Sequence, residues 1–238
     1  IDQSKASKVD TSLVKKHSEL PTSQYLSMLD DNNDMLVSIS DMRIIDEMST
    51  QDIDHWDSAI SESSVVVVDT NIPVKVIEYI TEKYSNIPLF LDPVSFAKTS
   101  KVLALIGKFH TVKPNRLEAE LISGIKITDE ASMLKAAKII FEKGCRQIFI
   151  TLGQEGVFYF DGKEYGLYVF EGANVKSANG AGDAFTAGVV YGHLKLSSIK
   201  ETAQFASAAA VIALRSKNTI SEKLSEQSVK LLLKEERL

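Results

Sequence analysis

The chain carries two different hydrophobic patterns, one before and one after residue 65. In the first part, two short apolar runs flank the polar residues 30–34, which predicts a β-hairpin over residues 22–42 with an Asx-type turn. Thr50 is placed to cap a helix that follows, whose apolar residues recur on one face. Residues 1–20 are polar and mixed in charge, without a strand or helix signal.

After residue 65, short apolar runs alternate with stretches of helical spacing. The four valines at residues 65–68 form a β-branched run that is typical of a strand buried on both faces in a parallel sheet. Comparable runs predict strands at residues 88–92, 109–112 and 147–151, with helices between them. The alternation predicts an α/β fold in which helices cover both faces of a mainly parallel sheet.

The last third of the chain is predicted to be a hairpin followed by helices. Extended runs at residues 156–160 and 165–170 flank a short Asp-Gly turn and are expected to pair. One helix is predicted to start near Gly182, and another after Ser198, which forms a capping-box pattern with Glu201.

Composition and charge narrow the class of protein. Of the 238 residues, 44% are hydrophobic and 25% are charged, which are ordinary values for a globular protein. Lys and Arg (27) against Asp and Glu (32) give a net charge of −5 without blocks of one sign, so we expect neither a nucleic-acid nor a membrane partner. The single cysteine, Cys145, suits a reducing compartment. Composition therefore favours a cytoplasmic enzyme.

A glycine-rich turn at residues 179–183, with the sequence Asn-Gly-Ala-Gly-Asp, opens a predicted helix. Gly180 and Gly182 allow a tight turn, and a helix N-terminus offers free N–H groups and partial positive charge to an anion. Asp183 would repel a phosphate, but a carboxylate at this place is suited to act as a base beside a transferring group. The alternative is an ordinary helix start with Asp183 as a first-turn residue.

Asn115 and Glu118 follow a short predicted strand and share one face of a helical turn. An amide and a carboxylate in this arrangement could organise a hydrated magnesium ion, which prefers oxygen ligands. The alternative is a helix cap, with Asn115 at the N-cap and Glu118 in the first turn. The spacing alone favours the cap.

A third motif, Thr-Leu-Gly-x-x-Gly, occupies residues 151–156 after a predicted strand. The N–H groups of such a turn can approach the phosphates of a nucleotide closely. Taken by itself, the motif is better explained as a plain hairpin connection.

In their order, spacing and position at strand ends, the three motifs resemble those of the ribokinase-like sugar and nucleoside kinases, also called the PfkB family. The likeness covers nearly the whole chain after Pro21. It implies a ribokinase-like α/β fold with a small β lid, and a phosphotransferase that acts on an alcohol group. It also implies ATP and Mg²⁺ as cofactors, and a nucleoside or sugar as the second substrate.

The resemblance also assigns roles to individual residues. Asp183 is the implied catalytic base, and the implied anion hole consists of Gly180, Ala181 and Gly182. The implied magnesium site is organised by Asn115 and Glu118, in part through water. The residues implied to line the ATP pocket are Asn115, Thr151, Gly153, Gly156, Ser207 and Asn218.

Within the family, the chain is most similar to the branch that phosphorylates pseudouridine. The similarity lies in residues 21–25, 41–42 and 92–95 and in the Ser-Ala-Asn tripeptide before the anion hole. Many relatives carry Asp-Thr-Thr in place of that tripeptide, and in some of them this Asp helps to bind a monovalent cation. Ser177 lacks the charge, so a requirement for such a cation stays open.

Residues 22–42 correspond, in this resemblance, to the lid that covers the sugar and often mediates dimer contacts. Thr22 and Tyr25 are the lid residues expected to face the substrate, and a homodimer through the lid is one expected arrangement. Residues 43–238, together with 1–21, form the predicted kinase domain. The family's opening strand, with its substrate-binding Asp, and its Gly-Gly-x-x-x-Asn segment are not found before Thr22, so we expect the chain to lack the first βα units.

The sequence therefore predicts ATP-dependent phosphorylation of the 5′-hydroxyl of a ribosyl nucleoside, with pseudouridine as the expected acceptor. One alternative keeps the chemistry and changes the acceptor to a free sugar, such as ribose or fructose, or to another nucleoside. A second alternative, from a different class, is a non-catalytic nucleotide-binding remnant.

Overall fold

The computed structural model describes residues 2–29, 35–170, 179–216 and 218–236. Its helices are α1 (Asp2–Ala6), α2 (Arg43–Asp46), α3 (Thr50–His55), α4 (Asp57–Ser61), α5 (Val74–Lys83), α6 (Phe96–Thr99), α7 (Arg116–Ser123), α8 (Glu130–Glu142), α9 (Ala181–Lys195), α10 (Ile199–Leu214) and α11 (Glu226–Glu236). Its strands are β1 (Gln24–Leu29), β2 (Met35–Asp41), β3 (Val66–Asp69), β4 (Leu89–Asp92), β5 (Thr111–Val112), β6 (Gln147–Thr151), β7 (Val157–Phe160) and β8 (Tyr165–Tyr168). None of the helices in these ranges combines the length and the apolar character that a membrane-spanning helix needs.

Six of the strands form one sheet, in the order β3-β4-β5-β6-β7-β8. The first four run parallel to one another, and β7 and β8 return as antiparallel neighbours at the end of the sheet. This is the mainly parallel α/β architecture, with a late hairpin, that the hydrophobic pattern predicts. Strands β1 and β2 form a separate antiparallel hairpin.

Successive residues of the central strands point to opposite faces of the sheet, and helices cover both faces. On β6, Ile148 and Ile150 belong to the core that α5 and α8 cover, whereas Phe149 packs with residues of α9 and α10. All three side chains are fully buried. The strand therefore needs apolar residues at every position, which explains why its sequence does not alternate.

Helices α9 and α10 approach closely because small residues line their contact. A Cβ added to Gly188 would lie 2.5 Å from the Cα of Ala206, and one added to Gly192 would lie 2.4 Å from the Cγ2 of Thr202. Phe185 at the start of α9 is buried in the core between this helix pair and the sheet. These contacts hold α9 against its face of the sheet.

Three local predictions differ from the structure. Helix α3 is capped by Ser49 rather than Thr50, because Ser49 and Asp52 form a capping box around its first turn. The helix predicted between the strands at residues 88–92 and 109–112 is one turn of α-helix, α6, followed by a 3-10 helix over Ser100–Lys108. The opening segment, where the pattern gives no signal, contains the short helix α1.

The predicted hairpin is confirmed in strands β1 and β2, although its turn, residues 30–34, lies outside the described residues. Leu26 pairs with Ile39 and Met28 pairs with Val37, so these four side chains share one face. They are between 47% and 65% exposed. The hairpin therefore presents an uncovered apolar face.

Candidate active site

Three strands end at the same edge of the sheet, and the predicted motifs follow them. β4 ends at Asp92, β5 leads through Lys113 to Asn115, and β6 ends at Thr151. Because these strands are parallel, their carboxyl ends meet at the edge where α/β proteins bind ligands. Two motifs are joined directly, since the Thr151 N–H donates to the Pro114 carbonyl at 2.9 Å and Asn115 bridges to Thr151.

Asn115 and Glu118 form a complete capping box at the start of α7. The Asn115 side-chain oxygen accepts the Glu118 N–H at 3.0 Å, and Glu118 Oε2 accepts the Asn115 N–H at 2.8 Å. The helix-capping alternative is thus realised in the fold. The cap uses only half of the carboxylate, because Glu118 Oε1 is buried and has no hydrogen-bond partner among the described residues.

The unpaired oxygen belongs to a side chain that is only 2% exposed. Burial raises the pKa of Glu118 above its usual value and Asp92 adds to the rise, whereas the Asn115 N–H and the charge of Lys113 act in the opposite direction. A buried carboxylate oxygen without a donor is costly unless another group satisfies it. Glu118 is therefore the member of this motif with capacity to bind a further group.

Residues 151–156 form the turn between β6 and β7. Gly153 and Gly156 have φ angles of 64° and 97°. Glycine adopts such positive φ angles more readily than any residue with a side chain. At Gly156 a side chain is also excluded by space, because an added Cβ would lie 2.1 Å from the Tyr168 carbonyl oxygen. At Gly153 an added Cβ would meet no described residue within 4 Å. The turn is thus the predicted hairpin connection, and it leaves the backbone of Gly153 open at the sheet edge.

Helix α9 begins at Ala181 with Gly180 as its N-cap. Gly180 has a φ of 80°, and an added Cβ would lie 2.1 Å from the Thr219 carbonyl oxygen, so glycine is required here. In the described part of the chain, no side chain caps this helix start. Gly182 and Asp183 are exposed in the first turn. The four residues predicted as anion hole and base therefore lie together at a helix start that is open as far as the described residues show.

A largely buried ion pair, which none of the three sequence motifs predicts, lies beside this helix start. Lys113 Nζ is 3.1 Å from Asp92 Oδ2, and the Thr186 hydroxyl, on α9, donates to the same oxygen at 3.0 Å. The pair connects the ends of β4 and β5 to the first turns of α9. The signal that points to it is a lysine placed directly after a buried strand and two residues before Asn115.

Ser207 and Asn218, which the resemblance also assigns to the ATP pocket, occupy different segments. Asn218 precedes Thr219, whose carbonyl lies against Gly180, so this segment borders the start of α9. Ser207 lies half-buried in the middle of α10. The structure therefore brings the Asn218 segment to the helix start and leaves Ser207 on the neighbouring helix.

The predicted lid residues are at the beginning of the hairpin. Thr22 is exposed just before β1, and Tyr25 in β1 is 55% exposed. Ser177, on which the question of a monovalent cation depends, lies outside the described residues.

Comparison with known proteins bears directly on this set of motifs. The family model described as pfkB family carbohydrate kinase matches residues 1–226. The chain belongs to the pfkB family of carbohydrate kinases. Membership of this family confirms the predicted enzyme class, a phosphotransferase that acts on a hydroxyl group.

Curated relatives in this family differ in the acceptor that their names give. Pseudouridine kinase of Escherichia coli is 34% identical over 209 residues, which are 87% of this chain and 67% of that protein. Ribokinase of Haemophilus influenzae is 29% identical over 170 residues, which are 69% of this chain and 54% of that protein. The chain thus spans between 54% and 67% of the length of these two relatives.

Solved structures share the fold. The structure of a proposed sugar kinase from Clostridium perfringens has a TM-score of 0.87 and 33% identity, and the match covers 98% of this chain and 74% of that one. Arabidopsis thaliana ribokinase, complexed with ribose and ATP, has a TM-score of 0.71 and 22% identity over 90% of this chain and 70% of its own. The predicted ribokinase-like fold is confirmed. The expected lack of the first βα units stays a prediction.

Proposed function

We propose that this protein transfers the γ-phosphoryl group of ATP to the 5′-hydroxyl of a ribosyl nucleoside, with pseudouridine as the acceptor. The observation that carries the proposal is the start of α9, where Gly180 and Gly182 leave the backbone open beside the Asp183 carboxylate. Such a helix start attracts an anion through free N–H groups and the helix dipole. A carboxylate in the same turn opposes anion binding, and its presence is explained if it takes part in the chemistry.

Asp183 is proposed as the base at the attacking hydroxyl. Its carboxylate accepts the hydroxyl proton while the hydroxyl oxygen forms its bond to the γ-phosphorus and the bond from that phosphorus to the ADP oxygen breaks. The backbone N–H groups of Gly180, Ala181 and Gly182 donate to the phosphoryl oxygens. Phosphoryl transfer depends on the alignment of the two substrates and on neutralisation of the phosphate charge. Residues held in fixed positions are sufficient to supply both.

Asn115 and Glu118 are proposed to organise Mg²⁺. The unpaired, buried Oε1 of Glu118 suits a metal-bound water, because Mg²⁺ keeps several waters and uses one or two carboxylates together with substrate phosphates. Within the described residues, no group of three or more His, Cys, Asp or Glu side chains forms a metal cluster, which agrees with so sparse a ligand set. When bound, the ion supplies positive charge that neutralises the ATP phosphates.

The ATP pocket is proposed to lie between the turn at residues 151–156 and the segment at Asn218. Thr151 adjoins Asn115 through the backbone bridge, and Gly153 faces open space. Gly156 is proposed to shape the turn, and Ser207 to approach adenine from α10. The contact of Thr219 with Gly180 supports this arrangement, because it sets the Asn218 segment beside the phosphate end of the pocket.

Pseudouridine is proposed as the acceptor because the likeness to the E. coli pseudouridine kinase, at 34% identity over 87% of the chain, exceeds the likeness to ribokinase. Residues 22–42 are proposed as the lid over this acceptor, with Thr22 and Tyr25 facing it, on a kinase domain of residues 43–238 with 1–21. The exposed apolar face of the hairpin is proposed as a dimer contact. No nucleic-acid partner is proposed.

The test is a comparison of acceptors with the complete protein and Mg·ATP. Pseudouridine, uridine, adenosine, ribose and fructose are supplied at equal concentration, and each product is quantified by mass spectrometry. We expect pseudouridine 5′-phosphate to form fastest, and the Asp183→Asn variant, purified identically, to control for contaminating kinases. Faster phosphorylation of ribose or fructose would support the free-sugar alternative. ATP binding without transfer to any acceptor would support the non-catalytic alternative.

A further inference from the structure

Lys113 is a nearly inaccessible lysine at the sheet edge. It is 9% exposed, and its Nζ lies 3.1 Å from Asp92 Oδ2. Lysine is seldom buried, because moving its ammonium group out of water is costly even when a carboxylate is close. The packing of one strand end does not by itself explain why a lysine is buried here at this cost in desolvation free energy.

The ammonium group of Lys113 is directed at the open start of α9. A Cβ added to Gly182 would lie 3.6 Å from Lys113 Nζ, and among the residues that the structure describes no other side chain comes within 4 Å of that point. The positive end of the helix and a positive side chain therefore meet at one place. Asp92 offsets part of this positive charge, and an ammonium group has three N–H donors, so Lys113 retains donors for an anion at the helix start.

Asp92 fixes the ammonium group in this direction. Its Oδ2 also accepts the Thr186 hydroxyl at 3.0 Å, and its Oδ1 accepts the Val94 N–H at 3.2 Å. Val94 has a φ of 63°, an unusual conformation for a β-branched residue that the surrounding turn must stabilise. Asp92 is therefore held from both sides, by its own turn and by α9.

A second observation indicates a ligand at this place. Glu118 Oε1 is buried and has no hydrogen-bond partner in the described ranges, and the charges of both Lys113 and Asp92 influence the pKa of Glu118. One small region thus holds a directed ammonium group, an open helix start and a carboxylate oxygen without a donor. A phosphate group together with its metal ion would satisfy all three.

We propose that Lys113 binds the phosphate chain of the nucleotide at the start of α9, and that Asp92 and Thr186 are positioning residues that aim it. This inference rests on the proposed function, because it takes the ligand to be ATP. Lys113 supplies a point charge to the phosphoryl oxygens, in addition to the N–H groups of the helix. No covalent step is assigned to it.

The experiment compares ATP with adenosine, because adenosine lacks the groups that Lys113 is proposed to bind. Calorimetric titration of the complete protein with each ligand is carried out for wild type, Lys113→Met and the double variant Lys113→Met/Asp92→Asn. We expect both variants to bind ATP roughly tenfold to hundredfold more weakly, as for a lost charged hydrogen bond, and to bind adenosine within about twofold of wild type. The double variant removes the unpaired Asp92 charge and serves as the test protein if the single variant folds poorly.

Lys98→Met is the matched control. Lys98 lies in α6, which follows β4, but its ammonium group donates to Asn71 rather than pointing at Gly182. ATP affinity is expected to be unchanged in this variant. The proposal is overturned if Lys113→Met/Asp92→Asn binds ATP as wild type does, or if ATP and adenosine affinities fall by the same factor.

The positioning role of Thr186 has its own readout. Thr186→Val removes the hydroxyl, and Thr186→Ser restores it. We expect the valine variant to weaken ATP binding by a smaller factor than Lys113→Met does, and the serine variant to recover it, whereas equal affinities in both variants would contradict the role.

Failure of this inference can be told apart from failure of the proposed function. If the wild-type protein transfers phosphate and the Lys113→Met variant binds ATP normally, only the role of Lys113 is overturned. Wild-type protein that binds ATP but phosphorylates no acceptor overturns the proposed function, and the comparison of ATP with adenosine still decides the role of Lys113.

Discussion

Helices α7 and α9 both start at the carboxyl edge of the sheet, but their first turns are satisfied in different ways. At α7, Asn115 and Glu118 close the helix start with two reciprocal hydrogen bonds. At α9, Gly180 occupies the N-cap in a left-handed conformation and provides no side chain. The first helix start is completed by the chain itself, whereas the second is the one that we propose a ligand completes.

The comparison shows that two helix starts at the same edge of a sheet can have different roles, depending on whether the chain caps them. Sequence spacing favours a cap for Asn115 and Glu118, and the cap is present, yet one carboxylate oxygen remains without a partner among the described residues. At α9 the same edge of the sheet carries an exposed carboxylate, Asp183, and no side-chain cap from the part of the chain that the structure describes. A closed helix start with one spare oxygen suits a metal-bound water, and an open one suits phosphate.

The largest effect is expected for Asp183→Asn. An amide keeps the shape of the side chain but cannot accept the hydroxyl proton, and loss of a general base costs on the order of 10²–10⁴ in rate. ATP affinity should be unchanged or slightly higher, because repulsion of the γ-phosphate decreases. Turnover and ATP binding are measured on the complete protein. Wild-type turnover would return Asp183 to the role of an ordinary first-turn residue.

A smaller but clear effect is expected for Gly180→Ala. The methyl group would meet the Thr219 carbonyl oxygen at 2.1 Å, and the left-handed conformation itself costs about 1–2 kcal/mol in an L-residue. ATP binding and thermal stability should both decrease. Gly124→Ala is the matched control, because Gly124 has a φ of 72° and no described residue comes within 4 Å of an added Cβ. Equal losses in the two variants would show that the contact with Thr219 is unimportant.

The smallest effect on turnover is expected for Glu118→Gln, which keeps the cap acceptor and removes the charge. Saturation with Mg²⁺ should require a higher concentration, since the amide is a weaker acceptor for metal-bound water. Glu120→Gln on the same helix is the control, because the Glu120 carboxylate is instead paired with the Ile127 N–H and Lys126. An unchanged magnesium titration for Glu118→Gln would leave Glu118 with the helix cap alone.

The same variant makes a prediction about pH. Burial raises the pKa of Glu118 in the folded protein above its usual value of 4.5, so the folded state binds this proton more tightly than the unfolded state does. The Glu118 contribution to stability is therefore lost as pH rises from 4.5 through the raised pKa. Thermal unfolding should show the advantage of Glu118→Gln over wild type growing across that range and then levelling off.

Much of the fold follows from local pattern. Continuous apolar runs such as residues 147–151 identify strands that are buried on both faces, and the capping box of Ser198 and Glu201 is found where the sequence predicts it. The first residue of a helix is less predictable where two neighbouring residues can serve as the N-cap. At α3, Ser49 rather than Thr50 is the N-cap, because the Asp52 carboxylate accepts the Ser49 N–H.

The candidate site is only partly contained in motifs. Spacing identifies Asn115, Glu118 and the start of α9, but it does not show which oxygen of Glu118 the cap leaves unpaired. The contact between Lys113 and Asp92 depends on strand order, because β4 and β5 must be neighbours before the two side chains can meet. An ion pair between two strands can be identified only from the tertiary structure, because a sequence motif contains only residues that are close along the chain.

The most direct test of this account is an NMR titration that observes both helix starts at once. Amide signals of residues 181–183 and 116–118 are followed while a non-hydrolysable ATP analogue with Mg²⁺, or adenosine, is added. The account predicts that the analogue shifts the signals of 181–183 strongly and those of 116–118 weakly, and that adenosine leaves 181–183 nearly unchanged. Strong shifts at 116–118 with none at 181–183 would contradict the claim that the open start of α9 binds the phosphates.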